Sequence, residues 1–130
     1  LALLGAAAPA AQAQTSSSAC YAPPEETAQL WTELFPYGET EQICLAACNT
    51  WKRTCVNMAN ASYRCYRALF LSLTGLEVAE CANQGDGKGA CSREAQEQFR
   101  SLMEELEYDL MNAIRVCEDA FDDCLYECED

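Results

Sequence analysis

Cys44-Leu-Ala-Ala-Cys48-Asn-Thr-Trp-Lys-Arg-Thr-Cys55 and Cys117-Glu-Asp-Ala-Phe-Asp-Asp-Cys124-Leu-Tyr-Glu-Cys128 carry the same cysteine spacing in opposite order. Paired from the outside inward, 44 with 128, 48 with 124, 55 with 117 and 81 with 91, the position numbers always add to 172. A constant sum is what an antiparallel hairpin produces when both arms rise equally per residue, because residue i then faces residue 172 − i. The fold-back falls at position 86, inside Gln84-Gly85-Asp86-Gly87-Lys88-Gly89. That stretch is dense enough in glycine to reverse the chain. The spacing predicts an all-α fold: a long antiparallel helical hairpin stapled by nested disulfides. Cys20 and Cys65 remain to pair with each other.

The apolar pattern agrees with two long helices. Cys44, Cys48, Trp51, Cys55, Met58, Ser62, Cys65 or Tyr66, Leu69, Leu73 and Leu76 follow steps of four and three, the seam of a coiled coil. The second arm repeats the rhythm through Phe99, Met103, Leu106, Leu110, Ile114, Cys117, Phe121, Cys124 and Cys128. The facing rule then sets Trp51 opposite Phe121, Met58 opposite Ile114, Leu69 opposite Met103 and Leu73 opposite Phe99. Ser62 against Leu110 is the one polar position. Arg53 faces Asp119 and Arg67 faces Glu105, pairs that help fix register more than they add stability.

Ahead of the hairpin, Pro23-Pro24-Glu25-Glu26 is a helix start, with proline where no hydrogen bond is lost and acids at the positive end of the dipole. Ala28, Leu30, Trp31, Leu34 and Phe35 give that short helix an apolar face, and Pro36-Tyr37-Gly38 ends it. We expect it to dock on the flank of the hairpin, against Leu45, Val56, Tyr63 and Phe70, held there by a Cys20–Cys65 bond. Residues 1–13 have the uncharged, Ala-rich character of a secretory signal remnant, with Ala11-Gln12-Ala13 as a small-x-small cleavage pattern. The expected organisation is therefore a signal remnant over 1–13, a polar segment and short helix over 14–39, and the hairpin over 40–130 with its turn near 84–91. Thr40 and Ser92 are the expected caps of the two long helices.

Composition narrows the chemistry. Ten cysteines in 130 residues point to an oxidising compartment, secreted or periplasmic. The absence of histidine removes Ser-His-Asp and Cys-His catalysis and imidazole metal sites. The formal charge of −13 disfavours nucleic acid and anionic lipid, and favours solubility or a cationic partner. That charge is uneven: residues 83–130 hold fourteen acids against four bases, whereas residues 44–82 hold four bases against two acids. No stretch is long and apolar enough to suggest a membrane span. No Cys-x-x-Cys motif or other thiol-activating context is present, so catalysis is not expected, nor is a cofactor.

Glu118, Asp119, Asp122, Asp123 and Glu127 form the strongest local charge feature. They oppose the dipole at a helix C-terminus, so something must offset them: Lys52 and Arg53 across the hairpin, a basic partner, or a bound Ca2+, which the lack of an EF-hand loop disfavours. The four cysteines Cys44, Cys48, Cys124 and Cys128 offer a second chemistry. Cysteines at i and i+4 share a helix face, and two such pairs facing each other could hold Cu(I) or zinc as thiolates. That arrangement resembles cysteine-lined copper-storage bundles in the idea of thiols along a seam. The paired spacing favours oxidation instead, so no metal is expected.

The twin Cys-x3-Cys pattern at these same four positions is similar to other stapled helical hairpins, namely plant α-hairpinins and small mitochondrial intermembrane-space chaperones. The resemblance implies architecture alone, since the arms here are longer and carry extra bridges. The function expected from the sequence is a non-enzymatic interaction or structural protein presenting a rigid helical surface, to a partner or to another copy of itself. The alternatives are a thiolate metal-binding protein, or an inhibitor or effector acting through the Gly85–Gly89 loop.

Overall fold

A computed structural model describes residues 20–35, 41–85 and 89–128. The expected signal remnant, the expected turn at Pro36-Tyr37-Gly38, the expected Thr40 cap and the centre of the hairpin loop lie outside the described residues. Three helices are present: α1 (Pro24–Thr32), α2 (Glu41–Asn83) and α3 (Ala90–Cys128). α2 and α3 run antiparallel over their whole length, and α1 contacts both. At about 1.5 Å per residue the long arms form a rod roughly 60 Å in length. Gly85 and Gly89, which flank the loop, both take positive φ (76° and 73°), a conformation that favours glycine.

The hairpin is joined by Cys44–Cys128, Cys48–Cys124, Cys55–Cys117 and Cys81–Cys91, the pairs related by the constant sum, and Cys20 is joined to Cys65. Each cross-hairpin bridge brings its two Cα atoms to 5.7–6.0 Å. That constraint pulls the backbones together, and large side chains do not fit on the line between them. Ala59 and Ala113, which face each other by the same rule, are fully buried, and Ala120 is buried nearby. The axis of the rod is therefore cystine and alanine, with larger side chains displaced to its sides.

This displacement corrects the expected seam. Trp51 and Phe121 are only half-buried and Met58 is 38% exposed. Trp51 instead stacks obliquely on Trp31 of α1, with ring centroids 5.7 Å apart, while the Lys52 ammonium lies 4.6 Å from the centre of the Phe121 ring. The loop half of the rod follows the same pattern. Met103 and Leu106 are buried on α3, but Leu73 and Leu76 are 48% and 66% exposed rather than packed on the opposite arm. The large apolar residues of the α2 stripe thus lie beside its bridging cysteines, toward the side of the hairpin, where α1 meets Trp51.

α1 docks on the flank of the hairpin as expected, but against other side chains than those expected. Leu45 is exposed, and Tyr63 and Phe70 lie on the other side of α2 from Cys65. α1 lies in the groove between α2 and α3, on the face that carries Trp51, Ser62 and Cys65. Ala28 is fully buried there, and its carbonyl oxygen lies 3.6 Å from Cys55 Sγ. After Thr32 the chain turns and buries Phe35 in the same core.

The polar residue in the seam now has a role. Ser62 Oγ donates a hydrogen bond to the Ala22 carbonyl, which also accepts from Thr27 Oγ1 at 3.0 Å. The N-terminus of α1 begins on Pro23 and has no side-chain cap of its own. Asp109 of α3 supplies one: its carboxylate accepts from the Glu25 backbone N–H at 3.0 Å. A carboxylate at a helix N-terminus satisfies an orphan donor and complements the dipole.

Candidate functional site: a sulfur cluster, an acidic end and a half-filled groove

The base of the rod holds two bridges one helical turn apart. The sulfurs of Cys44, Cys48, Cys124 and Cys128 all lie within 4.8 Å of one another and all four residues are buried. Cys48 Sγ is 3.5 Å from Cys128 Sγ and 4.0 Å from Cys44 Sγ. Oxidised sulfur carries no proton, so these are packing contacts between neighbouring cystines. The same four atoms, if reduced, would offer a compact four-thiolate donor set of the kind that suits zinc or Cu(I). In the oxidised chain they act as staples.

Glu118, Asp119, Asp122, Asp123 and Glu127 lie together on the last three turns of α3, all exposed. The cross-hairpin offset expected for them is not found. Lys52 is engaged with Phe121, and among the described residues Arg53 does not reach Asp119, nor Arg67 Glu105, at ion-pair distance. The acids form an open anionic surface at one end of the rod, close to the sulfur cluster in sequence and facing solvent.

The third feature was not singled out in the sequence. α1 fills only the part of the α2–α3 groove toward the chain ends, beginning near Ser62 and Asp109. Beyond Cys65 the two arms continue toward the loop, and among the described residues no helix lies against them there. Leu69, Leu73 and Leu76 of α2 extend the line of Ser62 and Cys65, and Leu102 of α3 extends the line of Asp109. Leu102 is 40% exposed. The signal was present in the heptad: a stripe as long as α2 needs covering along its whole length, and a nine-residue helix cannot supply that.

One titration is displaced. Burial raises the Tyr66 phenol, and the negative charges of Glu26 and Asp109 raise it further. The effect marks how closely the α1 start, α2 and α3 meet at this level.

No family model, curated protein or solved structure matches the chain. The functional reading therefore rests on the geometry.

Proposed function

We propose that this chain is a non-enzymatic interaction protein of an oxidising, extracytoplasmic compartment, in which a stapled helical rod presents a fixed surface to a protein partner. The observation that carries this reading is the unequal distribution of staples and cover. Five disulfides hold the backbone, yet Leu73, Leu76, Met111 and Tyr126 stand 48–69% exposed. Exposed large apolar side chains on a rigid frame suit recognition, where pre-organisation lowers the entropic cost of binding. Among the described residues, no arrangement of nucleophile, base and orienting group favours a catalytic reading.

The test is the mass of the native species. Protein purified under non-reducing conditions from the compartment where it is made is run by size exclusion with light scattering. A stoichiometric complex with a second polypeptide is expected. A lone chain with bound metal would overturn the reading.

The four buried sulfurs within 4.8 Å favour a second reading, a thiolate metal protein. It requires the two basal bridges to be open in the native chain. Zinc or copper in the native mass, with four alkylatable thiols after its removal, would establish it.

A further inference from the structure

We propose that the loop half of the α2–α3 groove is the docking site for a basic amphipathic helix of a partner protein, laid end to end with α1. This deepens the interaction reading and rests on it.

The molecule contains its own precedent. In the half of the groove toward the chain ends, α1 lies against the two arms and buries Ala28 and Phe35, with Trp31 against Trp51. In the loop half the same two faces continue, and among the described residues no third helix covers them. Leu69 is half-buried and Leu73, Leu76 and Leu102 are exposed; the three on α2 lie one to three turns beyond Cys65, and Leu102 lies two turns from Asp109, which caps α1. Leucines repeating at steps of four and three accept the apolar ridge of a helix, whose own anchors recur at i, i+3, i+4 and i+7. From Cys65 to Cys81 the groove runs about 24 Å, which fits a helix of roughly sixteen residues.

Charge decides the kind of helix. On a helical wheel, Arg64 and Arg67 of α2 fall away from this groove, as do Arg93 and Arg100 of α3. Glu80 follows Leu76 by one turn at the loop end of the leucine line, Glu105 falls along the α3 edge, and both are exposed. The groove is thus apolar along its leucine line, with acid at its loop-end and α3 rims. A helix with leucine-type residues on one face and lysine or arginine flanking them is complementary to it, while an acidic helix or a second copy of this chain meets like charge. Complementary rims set orientation and speed of encounter, and the buried leucines supply the hold.

The experiment uses the full oxidised chain and two synthetic eighteen-residue helical peptides with the same leucine heptad. One carries lysine at the flanking positions and the other glutamate. The lysine peptide is expected to bind one to one. Leu73→Asn with Leu76→Asn should weaken it at least tenfold, and Glu80→Lys with Glu105→Lys by a similar factor. Asp122→Lys with Asp123→Lys should leave the affinity within about twofold. All these side chains are exposed, so an unchanged helical spectrum and five intact disulfides verify each variant. Binding indifferent to Leu73 and Leu76, or lost with Asp122 and Asp123, would show the peptide merely resting on the acidic end and overturn the proposal. Equal binding of the glutamate peptide would overturn the charge argument. Self-association that disappears in the Leu76→Asn chain would assign the groove to a second copy instead. A native complex whose cross-links fall outside the groove would end this proposal and leave the interaction reading standing.

Discussion

Asp109 connects three elements through one carboxylate. It caps α1 from α3 and lies close enough to Tyr66 of α2 to help raise its phenol. Asp109→Ala removes both the acceptor and the charge, and should cost about 0.5–2 kcal/mol in chemical denaturation, the usual range for a lost cap. Asp109→Asn keeps an acceptor and should cost less. Tyr66 provides a pH signature. Its raised folded value means that the folded chain holds the phenol proton more tightly than the unfolded chain does. The stability this supplies is whole below the ordinary value of 10.0 and is lost as pH rises through the folded value. Denaturation midpoints of the native chain should therefore fall on the alkaline side of pH 10 more than those of Tyr66→Phe. Coincident alkaline profiles would contradict the burial of this residue.

At the scale of elements, the hairpin was legible because bridging cysteines must face one another, and a constant positional sum admits one antiparallel register. The short helix was legible from Pro23-Pro24-Glu25-Glu26 and the apolar residues after it. Its seat was not. Wheel positions alone do not say which side of a two-helix rod a third helix will take, and the stripe of Leu45, Val56, Tyr63 and Phe70 was as apolar as the one it uses. Nor did the heptad reveal that Ala59 and Ala113 would take the axis, because alanine reads as neutral until the 5.7–6.0 Å bridges force the backbones together. Of the candidate sites, the cysteines were evident from spacing, and the acidic end from composition. The open groove became visible only once α1 was placed. Cys20–Cys65 holds α1 from its N-terminal side, so Cys20→Ser with Cys65→Ser should loosen α1 while leaving the four cross-hairpin bridges formed. The Trp31–Trp51 contact reports this: the near-ultraviolet signal of the tryptophans should diminish, with far-ultraviolet helicity nearly unchanged. An unaltered tryptophan signal would mean that packing and the Asp109 cap suffice.

The whole molecule combines a thin core with many covalent ties. Two long helices and one short one bury mostly cystine, alanine and a few large side chains, and a core that small gains much from staples. Disulfides typically contribute about 2–4 kcal/mol each by restricting the unfolded chain, with nested bridges adding less than their sum. With so many covalent ties the fold depends less on burial, so apolar residues can stand in solvent along the loop half of the rod. The nested bridges underlie the whole fold, and an intact mass with peptide mapping under non-reducing conditions is their direct test. The native chain should weigh ten hydrogens less than the reduced chain, one for each cysteine. It should take up no alkylating reagent, and linked peptides should join Cys44 to Cys128, Cys48 to Cys124, Cys55 to Cys117, Cys81 to Cys91 and Cys20 to Cys65. Alkylatable thiols at Cys44, Cys48, Cys124 and Cys128 with a retained metal ion would contradict it, and would make the base of the rod a metal centre.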